Sequence, residues 1–573
     1  MANAIQAIAV DYDGTLTEDD HPDEDVIAAI RESRAKGQAV VLVTGRILSE
    51  LRDVFPGVDA EFDAIVAENG AVLRDADGVR DLVAPVDPLL GQALAHREVP
   101  VQQGRVLLAC AATHAGVVLE EITRLGIDAQ VVRNRGALMV LPGGVTKGTG
   151  LEQALGELGI SRHSTIGVGD AENDHHLLQV CELGVAVGNA VDALKQRADL
   201  VLDEPDGAGV SGLLRGPVVG GSERLPPRSW QLTLGRDEIG NPVRMPASQV
   251  NLLLTGGSGA GKSYITGLLV EQLAELGYGV LVIDREGDHA PLAQRRGILG
   301  VGGAEPLPSP RHLAALLRHR FGSVVVDLSQ TGVEEQQAYL YAIAPSILAQ
   351  RAVTGLPHWI VFEEAHTLPD DVSPWADALS SDDTGFCFST YRPTAIPEAV
   401  RSTISHLVLA AGGGDEADES LQFVARAAGC CPERLALALG DERGRAALVS
   451  LDDDREPAVV EVGVRSSGHI RHWHKYIDGS LPMALRFFFE PHDRGRVAAN
   501  LREFHRHLGA CGAGSVEVHA RSHDFSAWIR VVLQDEELAD VVQQIERHLR
   551  ADEYSAETGR DAIQLAIERR YLE

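Results

Sequence analysis

Short apolar runs alternate with amphipathic stretches through the first 214 residues of the chain. Residues 5–10 (IQAIAV) and 39–43 (AVVLV) are almost entirely apolar, which is typical of buried strands. Residues 23–35, which lie between them, have the mixed apolar and polar pattern of an amphipathic helix. Strands and helices that alternate in this way predict a parallel sheet with helices on both faces.

A second strand–helix series begins near Trp230 and ends near Arg465. Between the two series lies a segment rich in glycine and proline, residues 216–229, which we interpret as a linker. A third region combines a strand expected in MALRFFFEP, residues 483–491, with helices, the last of them at 558–571. We therefore predict an α/β protein of three modules, covering residues 1–215, 230–465 and 466–573, the third of them a small α+β domain.

Composition narrows the kind of protein that this pattern describes. The chain has 573 residues, of which 45% are hydrophobic and 23% are charged, as in ordinary globular proteins. Its 83 acidic and 51 basic side chains give a net charge of −32, and residues 1–215 alone carry 34 acidic and 17 basic ones. This acidic balance argues against a protein that binds nucleic acid over its whole surface, because phosphate contacts need clustered Lys and Arg. A local basic channel is not excluded.

The cysteines and the apolar runs predict a cytoplasmic protein. The six cysteines are scattered and form no CxxC pair, which argues against a disulfide framework or a structural zinc site. The first residues lack the basic segment of a signal peptide. The longest apolar runs, such as residues 251–254, are far shorter than the ~20 residues of a membrane-spanning helix, so we expect no membrane partner.

Chemically useful side chains follow the predicted strands of the first module. Two carboxylates follow the first strand, a hydroxyl follows the second, and a lysine and an acidic segment come later. The first pair alone is compatible with a solvated acidic turn. However, the carboxyl ends of parallel strands share one sheet edge, where ligands bind, so we expect all these groups to converge. The candidates are Asp11, Asp13, Thr44, Gly45, Lys147, Asp170, Asn173 and Asp174.

This constellation resembles the haloacid dehalogenase superfamily of phosphatases over residues 1–215. It is most similar to the Cof-type branch, which includes archaeal phosphoglycolate phosphatase and sucrose-phosphate phosphatase. The string ENGAVLRDADG at 68–78 resembles the segment that leads into the cap domain of that branch. The resemblance implies a Rossmann-like core, an inserted α+β cap at about 78–145, and a small phosphorylated substrate of the phosphoglycolate or sugar phosphate class.

The resemblance also implies covalent catalysis. Asp11 attacks phosphorus and becomes an aspartyl phosphate, and Asp13 protonates the leaving oxygen and then activates water. Thr44 and Lys147 hold the phosphoryl oxygens, and Gly45 lies beside the substrate. Hydrolysis of a phosphate monoester is among the slowest uncatalysed reactions, which is why both a nucleophile and charge neutralisation are needed.

Magnesium is the implied cofactor of this site. By resemblance, its ligands are Asp11, Asp170 and the backbone carbonyl of Asp13. Asp174 and Asn173 orient the metal shell and the substrate. Oxygen ligands of this kind suit Mg²⁺, which is a hard cation.

The second module contains a phosphate-binding loop. Residues 251–263 read NLLLTGGSGAGKS, in which an apolar strand enters the pattern GxxxxGK[ST] and a helix leaves it. Backbone N–H groups of such a loop surround the phosphates of ATP, the lysine reaches the β- and γ-phosphates, and the serine binds Mg²⁺. The loop residues are Gly256, Gly257, Ser258, Gly259, Ala260, Gly261, Lys262 and Ser263.

Three segments of residues 230–465 resemble the HerA/FtsK group of ATPases, HerA most of all. The group shows a TGxTGSGKS loop, a strand ending in DEAH and a TQRP sensor strand, which here read TGGSGAGKS, EEAH and TYRP. The resemblance implies a RecA/HerA-like fold in which Glu363 supports the metal, Glu364 polarises water and Thr390 senses phosphate. Glu363 replaces the usual Asp, and Tyr391 replaces the sensor Gln.

HerA-like ATPases act as hexameric rings that move DNA, so the resemblance implies a homo-oligomer and DNA as a partner. Composition does not support this, because no long Lys/Arg run marks a DNA-binding loop. Arg392 and Arg401 are candidates for an arginine finger that reaches a neighbouring subunit, and an ordinary surface arginine is the alternative for either.

The third region shows no catalytic constellation. His469, His472 and His474 lie close together at its start, but no Cys or carboxylate lies near them, so we favour a linker over a metal site. We interpret the rest as an accessory domain for packing or partner binding.

The sequence thus predicts a bifunctional enzyme, a Mg²⁺-dependent phosphatase joined to a HerA-like ATPase that binds ATP. A first alternative is a DNA-processing machine for repair or phage defence, in which the phosphatase trims terminal phosphates. A second is a scaffold in which bound ATP regulates the phosphatase.

Overall fold

Two large sheets organise the chain. The computed structural model describes residues 5–134, 136–319, 322–368, 375, 383–412, 416–440, 442–452, 456–467, 481, 483–489, 495–533 and 535–572. Within these ranges there are one eight-stranded sheet, one eleven-stranded sheet, a separate four-stranded sheet and a helical C-terminal region. Among the helices in the described ranges, none combines the length and the apolar character that a membrane crossing requires.

The eight-stranded sheet forms the core of the first module. In chain order, the strands of this module are β1 (Ala7–Asp11), β2 (Ala39–Val43), β3 (Ala64–Ala67), β4 (Val72–Asp75), β5 (Gly78–Asp81), β6 (Gln102–Gln103), β7 (Leu108–Ala111), β8 (Ala129–Asn134), β9 (Ala137–Pro142), β10 (Thr165–Gly169), β11 (Leu183–Ala186) and β12 (Leu200–Val201). The core sheet has the order β12-β11-β10-β1-β2-β3-β4-β5, and neighbouring strands pair parallel from β12 to β3, whereas β4 pairs antiparallel with both β3 and β5. β1 is buried along its whole length, as expected for a central strand covered by helices on both faces.

The helices of this module cover the core sheet and the smaller sheet. They are α1 (Glu24–Ala35), α2 (Leu48–Val54), α3 (Val58–Glu61), α4 (Pro88–His96), α5 (Ala115–Leu125), α6 (Lys147–Leu158), α7 (His175–Val180), α8 (Asp192–Lys195), α9 (Asp206–Arg215) and α10 (Pro217–Gly220). The antiparallel sheet β6-β7-β9-β8 has its own hydrophobic core with α4 and α5. The first residues of the expected cap, Gly78–Asp81, instead pair with β4 in the core sheet.

The eleven-stranded sheet forms the second module. Its strands in chain order are β13 (Gln231–Arg236), β14 (Pro242–Pro246), β15 (Leu252–Thr255), β16 (Val280–Asp284), β17 (Ile298–Gly302), β18 (Ser323–Asp327), β19 (Trp359–Phe362), β20 (Phe386–Thr390), β21 (His406–Ala410), β22 (Arg445–Ser450) and β23 (Ala458–Val462). The order is β14-β13-β23-β22-β21-β15-β20-β19-β16-β18-β17, with β15 to β21 parallel. The helices are α11 (Lys262–Leu276), α12 (Pro310–Leu317), α13 (Val333–Thr354), α14 (Glu398–Arg401), α15 (Glu416–Ala427) and α16 (Pro432–Leu439).

The C-terminal region is mostly helical in its described residues. Its helices are α17 (Leu501–Ala510), α18 (Ala513–Ser522), α19 (Asp524–Trp528), α20 (Glu536–Arg550) and α21 (Ala556–Ile567), and its one strand pair is β24 (Phe487–Phe488) with β25 (Val497–Ala498). They surround a separate core that includes Phe487, Phe504 and Phe525. The predicted last helix is α21, which begins two residues early and continues as a wider turn at Glu568–Leu572.

The two large sheets meet at the ends where their parallel strands begin. Arg162 and His163, just before β10, bond the carbonyl oxygen of Leu276 through Nη2 at 2.6 Å and Nε2 at 2.9 Å. Glu182 lies just before β11 and Tyr278 lies just before β16. The hydroxyl of Tyr278 donates to Oε2 of Glu182 at 2.8 Å. The carboxyl ends of the two sheets therefore point away from each other.

Candidate active sites

A buried lysine joins two carboxylates at the carboxyl edge of the first sheet. Asp11 is the last residue of β1, and Lys147 is the first residue of α6. Nζ of Lys147 donates to Oδ1 of Asp11 and to Oδ1 of Asp174, both at 2.6 Å. The side chains of all three residues are at most 4% exposed. Such short contacts between buried opposite charges fix the positions of all three groups.

Asp174 is positioned by the strand beside β1. Its Oδ2 accepts from the backbone N–H groups of Asp170 and Ala171, both at 3.0 Å. Gly169 allows this approach, because a Cβ there would lie 2.6 Å from Cβ of Asp174. Both oxygens of Asp174 therefore have donors, and this residue orients Lys147 and the loop that carries Asp170.

Three carboxylates converge around one cation in this site. Ligand oxygens of Asp11, Asp170 and Asp174 all lie within 4.8 Å of one another, and all three residues are buried. Three carboxylates and the ammonium of Lys147 carry a net charge of −2. Buried charge of this kind is costly unless it is compensated, and a divalent cation with oxygen ligands matches both the charge and the donor type. The residues present therefore fit Mg²⁺.

Burial dominates the ionisation of this cluster. Burial, followed by the nearby charge of Asp174, raises the pKa of Asp11 well above its ordinary value, although Lys147 opposes this effect. Burial lowers the pKa of Lys147, but Asp11 and Asp174 outweigh it and leave that pKa above its usual range. Lys147 is therefore a permanent cation, and additional positive charge near Asp11 favours its ionised form.

Sequence reasoning assigned no role to Arg46, which lies beside the predicted acid–base residue. Its Nε donates to both oxygens of Asp13 at 3.0 Å, and its Nη2 lies 2.5 Å from Oδ1 of Asp13 and from Oδ1 of Asp20. Oγ1 of Thr44, one residue beyond β2, accepts from the backbone N–H of Arg46 at 3.1 Å. The signal in the sequence was the position of Arg46, two residues after the predicted phosphate-binding hydroxyl.

Glu68, to which the sequence analysis assigned no role, holds the loop of residues 105–107 between β6 and β7. Glu68 is fully buried, and its carboxylate accepts from the backbone N–H groups of residues 105, 106 and 107 at 2.8 to 3.0 Å. Nδ2 of Asn173 reaches Oδ1 of Asn69 at 3.5 Å. Oδ1 of Asn173 is buried with no hydrogen-bond partner among the described residues, so it is available to a ligand.

The predicted phosphate-binding loop connects β15 to α11. Gly256, Gly259 and Gly261 have φ values of 148°, 69° and 97°, which favour glycine and let the backbone turn tightly. Lys262 is the first residue of α11, and its Nζ donates to the carbonyl oxygens of Gly256 and Gly257 at 3.1 and 2.9 Å. The loop therefore presents a glycine backbone, a lysine and a helix N-terminus at one point, as phosphate binding requires.

Glu363 is linked to a buried histidine from a distant segment. Its Oε1 lies 2.8 Å from Nε2 of His289, and both side chains are at most 5% exposed. Burial raises the pKa of Glu363, but the bond and charge of His289 outweigh it and lower that pKa below its ordinary value. His289 follows Asp284, whose carboxylate accepts from the N–H groups of residues 286, 287 and 289 at 2.8 to 3.2 Å. No spacing along the chain indicates this pair, because the pairing of β16 with β19 brings the two residues together.

Glu364 and the sensor strand lie together near Lys262. Glu364 has a left-handed backbone (φ 53°), and burial followed by the charge of Glu286 raises its pKa to about 8. Nδ1 of His366 lies 3.3 Å from Oε2 of Glu364 and 3.2 Å from Oγ1 of Thr390. A left-handed non-glycine residue at a candidate site is a strained position that fixes the direction of the side chain.

The ring of Tyr391 lies beside Lys262 and Arg392 in the second site. Its ring centroid is 5.9 Å from Nζ of Lys262 and 5.6 Å from Cζ of Arg392, so the ring faces two cations. Arg401 instead pairs with Glu398 on the exposed side of α14. Of the two predicted arginines, the structure therefore brings only Arg392 to this site. The histidines 469, 472 and 474 lie outside the described residues.

Comparisons with known proteins match both modules. Residues 8–82 and 113–214 match the family of haloacid dehalogenase-like hydrolases, and residues 249–343 match the central domain of the helicase HerA. The chain is 31% identical over 211 residues to a phosphoglycolate phosphatase of Archaeoglobus fulgidus, over 36% of this chain and 93% of that protein. It is 31% identical over 224 residues to a phosphoglycolate phosphatase of Methanothermobacter thermautotrophicus, over 37% of this chain and 98% of the relative. A solved structure, a haloacid dehalogenase-like hydrolase from Bacteroides thetaiotaomicron, matches with a TM-score of 0.32 and 21% identity, over 37% of this chain and 98% of that one.

Proposed function

Since the chain belongs through its first module to the haloacid dehalogenase-like hydrolases, we propose that this module is a Mg²⁺-dependent phosphatase and that the second is an ATPase. The observation that carries the first proposal is the buried set of three carboxylates and one lysine at the edge of the core sheet. The similar phosphoglycolate phosphatases suggest a small phosphate ester of that class as substrate.

In the proposed reaction, a carboxylate oxygen of Asp11 forms a bond to phosphorus while the bond from phosphorus to the leaving oxygen breaks. Asp13 gives its proton to that oxygen. It then takes a proton from water, whose oxygen attacks phosphorus, so that phosphate leaves and Asp11 is regenerated. Lys147 and Thr44 hold the phosphoryl oxygens through these steps.

Asp11 and Asp170 are the proposed metal ligands, with the backbone carbonyl of Asp13. When bound, Mg²⁺ supplies positive charge that offsets the charge on the phosphoryl group. Asp174 takes the orienting role, because Lys147 and two backbone N–H groups already occupy both of its oxygens.

The test of the phosphatase is phosphate release from a panel of small phosphate esters. We expect Asp11→Asn to abolish release, because an amide is a poor nucleophile, and we expect EDTA to abolish it reversibly. Asp77→Asn, which makes the same change on an exposed turn, should leave the rate unchanged. A rate that survives in Asp11→Asn contradicts the nucleophile assignment.

The proposed ATPase rests on the loop of residues 256–263 and the carboxylates beside it. Lys262 and Ser263 bind the phosphates and Mg²⁺, Glu363 supports the metal and Glu364 polarises the attacking water. Thr390, which bonds His366 near Glu364, senses the γ-phosphate. Lys262→Ala should abolish ATP hydrolysis while Lys36→Ala on the surface leaves it intact, and normal turnover in Lys262→Ala refutes this assignment. Hexamer formation and DNA movement stay predictions from resemblance.

One contact favours a second candidate function, in which ATP regulates the phosphatase. α11 begins at Lys262 and ends at Leu276, and the carbonyl oxygen of Leu276 is held by Arg162 and His163. These two residues lie in the turn that leads into β10, and the far end of β10 leads into Asp170. ATP-dependent phosphatase rates that persist in Glu364→Gln would support regulation by binding alone, and rates independent of ATP would eliminate it.

A further inference from the structure

The histidine that bonds Glu363 lies in a turn whose shape is set by its own strand. His289 is fully buried and follows β16, which ends at Asp284. The carboxylate of Asp284 accepts from three backbone N–H groups of this turn, that of His289 among them at 2.8 Å. Gly287 in the middle of the turn has φ 76°, which favours glycine. The turn therefore fixes the backbone of His289 relative to β16.

The imidazole of His289 fixes one oxygen of Glu363. Nε2 of His289 donates to Oε1 of Glu363 at 2.8 Å. The parallel pairing of β16 with β19 places the two residues at the same edge of the sheet, next to the phosphate-binding loop of residues 256–263. Because both side chains are at most 5% exposed, water does not compete for this bond. A short, enclosed hydrogen bond to a carboxylate determines the direction of that carboxylate.

The other neighbours of this carboxylate are hydroxyl groups. Thr266 lies on α11, one turn after the lysine of the loop, and the pairing of β19 with β20 places Ser389 beside Glu363. Both hydroxyls lie close enough to act on the charge of Glu363, and both are enclosed without a hydrogen-bond partner among the described residues. In that part of the chain, the bond to His289 is therefore the one hydrogen bond that orients the carboxylate.

The length of the side chain explains why such an anchor is needed. Glu363 stands where the ATPases that this module resembles have aspartate, so its carboxylate is one methylene further from the backbone. The additional rotatable bond gives the carboxylate more positions, and holding it in one of them costs conformational entropy. The hydrogen bond from His289 removes that freedom, since it ties Oε1 to a turn that is itself fixed.

We propose that His289 is a positioning residue of the second site, which holds Glu363 so that a glutamate supports the metal where aspartate is usual. This role rests on the ATPase function proposed above. Groups that support a metal are themselves oriented by hydrogen bonds, and loss of such a partner typically lowers metal affinity by about 10- to 100-fold. His289 acts only through Glu363 and touches neither the metal nor the nucleotide.

Binding of a fluorescent ATP analogue to the full chain, measured while Mg²⁺ is titrated, tests this role without turnover. We expect His289→Ala to raise the half-saturating Mg²⁺ concentration by about 10- to 100-fold and to leave the affinity for the analogue in EDTA unchanged. His289→Gln should recover most of the loss, because its amide nitrogen can donate to Oε1 of Glu363. His505→Ala, the matched control, removes an Nε2 that lies 3.0 Å from Oε1 of Glu568 in the C-terminal region, and it should change nothing.

Two results for His289→Ala overturn the proposal. One is a half-saturating Mg²⁺ concentration within twofold of normal, and the other is an equal loss of affinity with Mg²⁺ and in EDTA, which indicates a structural role alone. If His289→Ala does not fold, Glu363→Asp decides. The shorter side chain gives up the bond to His289, so Mg²⁺ dependence should worsen although aspartate is the usual residue, and unchanged or tighter binding refutes the role. An unaltered chain that binds the analogue no better than Lys262→Ala refutes the ATPase itself, so the two failures are distinguishable.

Discussion

A single methyl group at Gly169 should disable the first site. Gly169 ends β10 and lacks a positive φ, so its backbone accepts alanine without strain. A Cβ there would lie 2.6 Å from Cβ, 2.7 Å from Cγ and 2.8 Å from Oδ2 of Asp174, whereas ordinary contact begins at 3.4 Å. Asp174 must therefore move by about 0.8 Å, which stretches its 2.6 Å bond to Lys147 to at most about 3.4 Å.

The cost of that shift can be expressed as a rate. Loss of one charge-assisted hydrogen bond removes about 1.5–3 kcal/mol of stabilisation. If that bond positions Lys147 against the phosphoryl group, Gly169→Ala lowers kcat/KM for phosphate release by about 10- to 150-fold.

Both activities can be assayed on the same protein. Phosphate release from a small ester should fall in Gly169→Ala, whereas ATP hydrolysis should stay normal, because the second site lies on another sheet. Gly116→Ala is the matched control, since a Cβ in α5 meets nothing within 4 Å and should stabilise the helix by up to about 1 kcal/mol. Phosphate release within twofold of normal in Gly169→Ala would show that Asp174 does not position Lys147.

Three further changes have defined outcomes. Lys147→Met should lower the free energy of unfolding by about 3–5 kcal/mol in EDTA, with part of the loss recovered in Mg²⁺, and equal urea midpoints in EDTA would contradict this. Burial, with the charges of His163 and Arg351, holds the pKa of His358 well below its ordinary value. The contribution of neutral His358 to the free energy of unfolding is therefore fully present above pH ~6.5 and falls by up to about 1.4 kcal/mol per pH unit on acidification. Thermal melts over this pH range should show a smaller slope in His358→Asn. Arg162→Ala removes the 2.6 Å bond to the carbonyl oxygen of Leu276 and should cost about 1 kcal/mol in urea unfolding, whereas Arg434→Ala, an exposed pair, should cost at most about 0.5 kcal/mol.

Motifs at strand ends were the most predictable feature of this chain. The sequence predicted that Asp11, Lys147 and Asp174 share one edge, and in the structure Lys147 bonds both carboxylates. This works because parallel strands carry their local motifs to the same edge whatever their separation along the chain. The strand predicted at 39–43 is β2, and the helix predicted at 23–35 is α1, which begins one residue later.

Pairs made by tertiary structure were not predictable. Glu363 and His289 are 74 residues apart, and only the pairing of β16 with β19 brings them together. The sequence places Arg46 just after a predicted strand, but its bond to Asp13 also requires β1 and β2 to be neighbours, which no local pattern encodes. The strand expected around Phe487 is only two residues long, and the core around it is formed mostly by residues of helices.

The back-to-back contact of the two sheets separates the two chemistries in space. Each central strand spans five residues, about 17 Å, so two sheets placed end to end keep their carboxyl edges ~35 Å apart or more. Phosphate released at one edge thus enters bulk water on the opposite pole from the other edge, and direct channelling within one chain is ruled out. A product of one reaction can therefore reach the other site only through solvent. Any other coupling between the two sites must act through conformational change at the contact between the two sheets.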